Sequence, residues 1–315
     1  LDVDNPGPYT NIAPVTPLSE TAPYEQQASR SIDFRGRPSA NHTYYNFQYI
    51  PQRDKLFLFR SMNVYGAQAG STRSVFSFDL TTLDWDFRGT WSGTLADFQK
   101  IQGGGSTYTA AVGNWQSFPS LLGIDIGTCC VNPLTGNVYA SAYGAPHYGS
   151  AIWTQSTAIW QVYSDDNISG FMGNQGTCWD TVRNRVFCVP GASEGTAASR
   201  TATIRNITGI GYNTNFSTLT ITGLGSEPMF SNVGSGGSGC CYDSDNDKYI
   251  IMSNSTSGAG RIYEIDPDTG AGTVLHATNQ TIAEGGVLGK LHYSPKFRCV
   301  LYHGRSVENI RFMPR

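Results

Sequence analysis

Five segments of this chain share one nine-residue frame, and that repetition limits the fold more than any other feature. The copies are Tyr49-Ile-Pro-Gln-Arg-Asp-Lys-Leu-Phe57, Val131-Asn-Pro-Leu-Thr-Gly-Asn-Val-Tyr139, Trp179-Asp-Thr-Val-Arg-Asn-Arg-Val-Phe187, Tyr242-Asp-Ser-Asp-Asn-Asp-Lys-Tyr-Ile250 and Tyr293-Ser-Pro-Lys-Phe-Arg-Cys-Val-Leu301. Each runs from an apolar or aromatic residue through a polar turn to two apolar residues. Turn residues between strand formers predict a β-hairpin. The residue just before the frame is Cys130, Cys178 or Cys241 in three copies, and Gln48 or His292 in the others. Side chains alternate across a strand, so this column faces opposite to the aromatic column that follows it.

A second pattern trails each hairpin: Ser74–Leu80, Ala158–Tyr163, Ala202–Asn206, Arg261–Asp266 and Glu308–Phe312. These segments alternate apolar and polar, as half-buried strands do. Each unit then reads strand, tight turn, strand, longer loop, strand and a fourth strand. Small antiparallel sheets recurring at roughly 50 residues are the sign of propeller blades. The expected fold is all-β, a β-propeller of about five blades over 39–315, with spacings that leave room for six or seven. Frame starts are 82, 48, 63 and 51 residues apart. The 82 admits either a long insertion near 91–125 or a degenerate blade. Leu95–Ile101 is expected to form one short helix. Residues 1–38, rich in Pro, Thr, Ser and Asn, read as an extended N-terminal arm.

Composition removes several classes. With 21 Lys and Arg against 24 Asp and Glu, the formal charge is −3, and no basic stripe exists to displace nucleic-acid counterions. No apolar run approaches 18 residues, so no helical membrane span is expected. Hydrophobic residues at 39% are ample for a core. The opening residues carry no signal-peptide pattern. Charged residues make up only 14%, and the surface chemistry is that of Ser, Thr, Asn and Gly. This points to an extracellular or virion setting. The seven Cys form no C-x-x-C, which argues against zinc. They leave open one or more disulfides or a set of small buried thiols.

Arg37-Pro-Ser-Ala-Asn-His-Thr-Tyr44, with the first frame and Val75-Phe-Ser-Phe-Asp-Leu80 before Trp85, resembles the start of a kelch-type repeat. Asn41 stands where Arg is frequent in that family, and Arg60-Ser61 replaces the usual Gly-Gly. The resemblance implies a kelch or galactose-oxidase-like propeller and no particular activity. The copper-radical oxidases of that fold would need two His beside a Tyr–Cys pair, and nothing in the sequence assembles them. Sialidase-type boxes, G-x-S-x-G, H-E-x-x-H and G-K-[ST] loops are absent as well. No cofactor is called for. Asp243, Asp245 and Asp247 form a weak calcium candidate, although a hairpin turn accounts for their types equally well.

The stronger lead is where the long loops lie. In a propeller, the loops between strands 2 and 3 and between blades open on one face, and the 1–2 hairpins on the other. The long loops carry Tyr65, Trp91, Tyr108, Trp115, Tyr143, His147, Tyr148 and Trp153, with His303 and Arg305 added by the last blade. Aromatic rings among Asn, Ser and Gln suit the stacking of sugars or the anchoring of a protein partner. Packing between blades is the competing role for any one of these rings. The expected function is non-catalytic recognition or structure, with a glycan or protein partner. The N-terminal arm is placed to pair with the closing blade or with a second subunit in a homo-oligomer. The rivals are a secreted hydrolase or lyase acting on polysaccharide at the pore mouth and an intracellular kelch-like adaptor.

Overall fold

The computed structural model describes residues 47–61, 72–86, 98–101, 125–143, 150–156, 159–163, 176–189, 201–206, 216–225, 238–254, 260–277, 291–303 and 310–315. These form five successive sheets. The first contains β1 (Phe47–Ile50), β2 (Lys55–Ser61), β3 (Thr72–Asp79) and β4 (Asp84–Asp86) in that order. The second contains β5 (Phe98–Ile101), β6 (Asp125–Val131), β7 (Val138–Tyr143), β8 (Ser150–Thr154) and β9 (Ile159–Tyr163), ordered β5-β9-β8-β7-β6. The third is β10 (Thr177–Asp180), β11 (Arg185–Cys188), β12 (Thr201–Asn206) and β13 (Phe216–Thr220). The fourth is β14 (Ser238–Asp243), β15 (Lys248–Asn254), β16 (Gly260–Ile265) and β17 (Gly272–Ala277). The fifth is β18 (Leu291–Ser294), β19 (Cys299–His303) and β20 (Ile310–Pro314).

The strands that lead into the repeated frame neighbour one another in series: β1 meets β6, β6 meets β10, β10 meets β14 and β14 meets β18. Up-and-down sheets joined through their first strands define a β-propeller. The core is therefore split into layers between adjacent sheets. One layer joins Cys130, Tyr139 and Ile152 of the second sheet to Trp179, Val186 and Cys188 of the third. The next joins Cys178, Phe187 and Ile204 to Cys240, Tyr249 and Tyr263. A third joins Cys241, Ile250 and Met252 to Leu291 and Val300. The two columns thus face opposite ways. Cys130, Cys178 and Cys241 each pack toward the following sheet, whereas Trp179 and Tyr242 pack back onto the preceding one. All seven Cys are buried and unpaired as disulfides. They act as small apolar side chains, and burial pushes the thiols of Cys129, Cys130, Cys178, Cys240, Cys241 and Cys299 above the ordinary cysteine range.

The frame recurs in backbone geometry. Its sixth residue has positive φ in all five copies: Asp54 at 49°, Gly136 at 74°, Asn184 at 47°, Asp247 at 53° and Arg298 at 47°. In three copies the aromatic first residue closes the hairpin by bonding to the sixth. The bonds are Tyr49 to Asp54 Oδ1 at 2.9 Å, Trp179 Nε1 to Asn184 Oδ1 at 3.2 Å and Tyr242 to Asp247 Oδ1 at 2.6 Å. Asn and Asp tolerate the left-handed region because a short polar side chain can bond locally there.

Two expectations are corrected. The expected helix at Leu95–Ile101 is not formed over its described part, since Phe98–Ile101 is β5 and pairs in parallel with β9. An open sheet edge outweighed the weak local pattern there. In the second sheet the trailing segment is the fourth strand, β9, because Ser150–Thr154 already supplies the third.

Candidate functional site

The described hairpin turns lie at one end of the sheets, and cross-blade bonds join several of them. Gln52 Nε2, in the first hairpin turn, donates to the Pro133 carbonyl of the second at 2.8 Å. Arg53 Nη2 donates to the Gln155 carbonyl, after β8, at 2.8 Å. Arg183 holds the corresponding place in the third sheet and reaches the fourth in the same way. Its Nη1 and Nη2 donate to both oxygens of Asp247 at 2.7 and 2.8 Å, and its Nε and Nη2 to both oxygens of Asp268 at 2.7 and 2.8 Å. Two forked pairs on one guanidinium make a strong, directional clamp.

Asp180 lies beneath this clamp, with its side chain wholly buried. Its Oδ1 accepts the turn N–H groups of Val182 and Arg183. Its Oδ2 accepts the Tyr249 hydroxyl at 2.8 Å and Arg185 Nε at 3.1 Å. Arg185 Nη2 continues to the Pro267 carbonyl at 2.8 Å. In the fourth sheet, Asp243 has the same frame position. Its Oδ1 caps the turn at Asp245 and Asn246, and its Oδ2 takes Arg315 Nε at 2.7 Å. Arg315 also pairs with Glu264, and Arg298 Nε reaches Asp245 at 3.2 Å. Asn132 caps the second hairpin in the same manner, through Leu134 N–H.

Charge states follow from these contacts. The Arg183 guanidinium, with the Tyr242 hydroxyl in support, holds the Asp247 carboxyl down at about 2. Lys248 and the turn around Thr269 hold Asp266 well below the carboxylate range, and Arg183 does the same for Asp268. Burial pulls Asp243 upward, but bonds from Arg315 and Asn246 outweigh it and leave the carboxyl lowered. Burial and the Asp180 charge push the Tyr249 phenol far up, and burial and Asp247 do so for Tyr242. These carboxylates stay ionised and these phenols stay protonated at neutral pH. Chemically, the arrangement is a saturated clamp that locks adjacent sheets together.

This geometry corrects the calcium candidate. Asp243, Asp245 and Asp247 each turn to a different cation, Arg315, Arg298 and Arg183. Among the described residues no three metal-ligating side chains converge. Trp153 is also corrected as a ligand contact. It is fully buried on β8, with its ring 5.4 Å from Phe57 of the first sheet, so it packs between blades. Tyr143 ends β7 and His303 ends β19, the equivalent places on the second strands, at the end away from the tight turns. Tyr65, Trp91, Trp115, His147, Tyr148 and Arg305 lie outside the described residues. Sequence reading did not find the clamp of Arg183, Arg185 and Arg315. One signal for it was the Arg shared by the first and third frames at their fifth place, Arg53 and Arg183.

No protein-family model matches the chain, and no curated protein is similar to it at a significant level. Solved structures with a similar chain path include the nidogen/laminin complex, at 9% identity and TM-score 0.42 over 60% of each chain. TolB from Acinetobacter baumannii is 13% identical, with TM-score 0.48, over 89% of this chain and 53% of that one. An oligogalacturonate lyase in complex with manganese is 14% identical, with TM-score 0.43, over 88% and 64%. The chain spans little more than half to two thirds of the length of these structures. Likeness at this level concerns fold and brings no activity with it. Among the described residues, no helix is long and apolar enough to cross a membrane.

Proposed function

We propose that this chain is a non-catalytic recognition or structural module of a cell surface or virus-like particle, binding a glycan or protein through the propeller end opposite the clamp. One observation carries this reading. The tight turns are gathered and bonded together at one end, so the second-strand ends at Tyr143 and His303 belong to the other. A rigid scaffold that presents its longer connections from one end is a common plan for binding. The aromatic residues of those connections, Tyr65, Trp91, Trp115 and Tyr148, supply the chemistry for sugar stacking or a protein anchor. A glycan array with the purified protein tests it. Binding that is lost in Trp115→Ala at unchanged melting temperature supports the glycan version. A null array together with an ordered oligomer supports the structural version. Release of reducing sugar from a polysaccharide panel overturns both in favour of a hydrolase or lyase.

A second reading, an intracellular adaptor with a protein partner, is favoured by one observation. None of the seven cysteines forms a disulfide, and reduced cysteine suits a reducing compartment. Mass spectrometry on protein isolated from its source decides between the two settings.

A further inference from the structure

We propose that Cys178 and Cys240 are a disulfide site, a staple that closes between the third and fourth blades when the chain folds in the presence of a disulfide oxidant such as oxidised glutathione. β10 and β14 are neighbours. The two cysteines lie in the one core layer between the third and fourth sheets, each 6% exposed. The Cys178 thiol donates a hydrogen bond to Cys240 Sγ. A disulfide requires two thiols side by side, and these already touch. The other five cysteines are turned elsewhere. Cys130 bonds to Thr177 and packs with Cys188 in the preceding layer. Cys188 stands opposite Thr177 and Cys178 opposite Phe187, so Cys178 and Cys188 face different sides of their sheet. Cys241 follows Cys240 and faces the next layer. Alternation likewise turns Cys129 away from Cys130, and Cys299 begins β19 in the fifth sheet.

The bond forms by two thiol–disulfide exchanges. The Cys240 thiolate attacks one sulfur of oxidised glutathione, whose S–S bond breaks. A mixed disulfide forms on Cys240 and one glutathione thiolate leaves. Cys178 then gives up its proton and attacks Cys240 Sγ, and the second glutathione thiolate leaves. The two leaving thiolates take up the two protons that the cysteines released. Two cysteine thiols are thus oxidised and one glutathione disulfide is reduced to two thiols. Burial keeps both thiolate and oxidant out of the closed layer, so the exchange belongs to folding, before the blades meet. The bridged positions are 62 residues apart. Joining them restricts the unfolded chain, and long loops gain most from such a restriction. The inference is independent of the proposed binding end, which neither cysteine reaches from its core layer.

The test produces the full chain in two bacterial hosts, one with a reducing and one with an oxidising cytosol. Free thiols are blocked with iodoacetamide and the protein is digested without reductant. Mass spectrometry is expected to find a peptide linking Cys178 to Cys240 from the oxidising host alone. Wild type from that host should melt about 5 °C higher than wild type from the reducing host. In Cys178→Ala and in Cys240→Ala the two preparations should melt together. Each variant is its own reference, so the packing cost of the substitution drops out, and the wild-type comparison stands without them. Seven alkylated cysteines in the oxidising preparation overturn the inference. So do a bridge between any other two cysteines, and a bridge from Cys178 to Cys240 that leaves the two wild-type preparations melting alike.

Discussion

Tyr242 donates its hydroxyl to Asp247 Oδ1 at 2.6 Å across the β14–β15 hairpin, and the same carboxylate receives a forked pair from Arg183 of the neighbouring sheet. A bond internal to the hairpin thus aims the group that joins two blades. Tyr242→Phe should destabilise the protein by about 1.5–3 kcal/mol, the usual contribution of a hydrogen bond to a charged group. Tyr49→Phe removes the equivalent bond at an exposed hairpin and should cost about 0.5 kcal/mol or less, within the range of ordinary surface changes. Urea unfolding of the two variants checks the ranking.

Asp180 is the residue whose loss strands the most partners. In Asp180→Ala, Arg185, Tyr249 and two turn N–H groups lose their acceptor. A cost of about 3–5 kcal/mol is expected, as when one partner is removed from a buried ion pair. Arg183→Lys should cost less but should not restore wild-type stability, because an ammonium cannot form two forks. Chemical denaturation of both variants measures this.

The depressed carboxyls predict loss of stability in acid. Asp243, Asp247, Asp266 and Asp268 all titrate lower in the folded protein than in an unfolded chain, where Asp titrates near about 3.9. In that range the unfolded state binds more protons, so stability rises with pH. The contribution is complete above about pH 5 and fades as pH falls through the folded values, about 2 for Asp247. Melting temperature should therefore fall steeply below about pH 4. Asp247→Asn should lower it at neutral pH and flatten the acid limb. A parallel downward shift at every pH would count against Asp247 as a contributor.

Gly270 joins the third and fourth sheets at very close range. Its φ is 71°, and a Cβ there would strike the Thr220 carbonyl oxygen. Its own carbonyl accepts Thr222 N–H at 3.0 Å. At Gly225, with φ 55°, an added Cβ would meet no atom within 4 Å. Gly225→Ala should cost about 1 kcal/mol, the strain of a left-handed residue with a side chain. Gly270→Ala should cost at least twice as much, because the backbones must also separate. Calorimetry on the pair separates strain from contact.

The propeller was legible because its signals are short-ranged. Turn residues recur at one place in five frames, and the Cys column reports a second buried face on the three strands that carry it, β6, β10 and β14. The mistaken helix at Leu95–Ile101 and the misplaced third strand of the second sheet share one cause. Local pattern does not say which open edge a strand will join. The candidate site was less legible. Trp153 has the residue type of a ligand contact, and only its position against Phe57 shows it to be core.

By itself, the amino-acid sequence determined the repeating hairpin with its polar turn and the opposite facing of the Cys and aromatic columns. These depend on sterics and alternation within a few residues. Only the tertiary structure decided that Arg183 meets Asp247, 64 residues away, and Asp268, 85 residues away. An ion pair needs its partners a few ångströms apart, and which turns come that close is set by the packing of neighbouring blades, a relation no local pattern encodes.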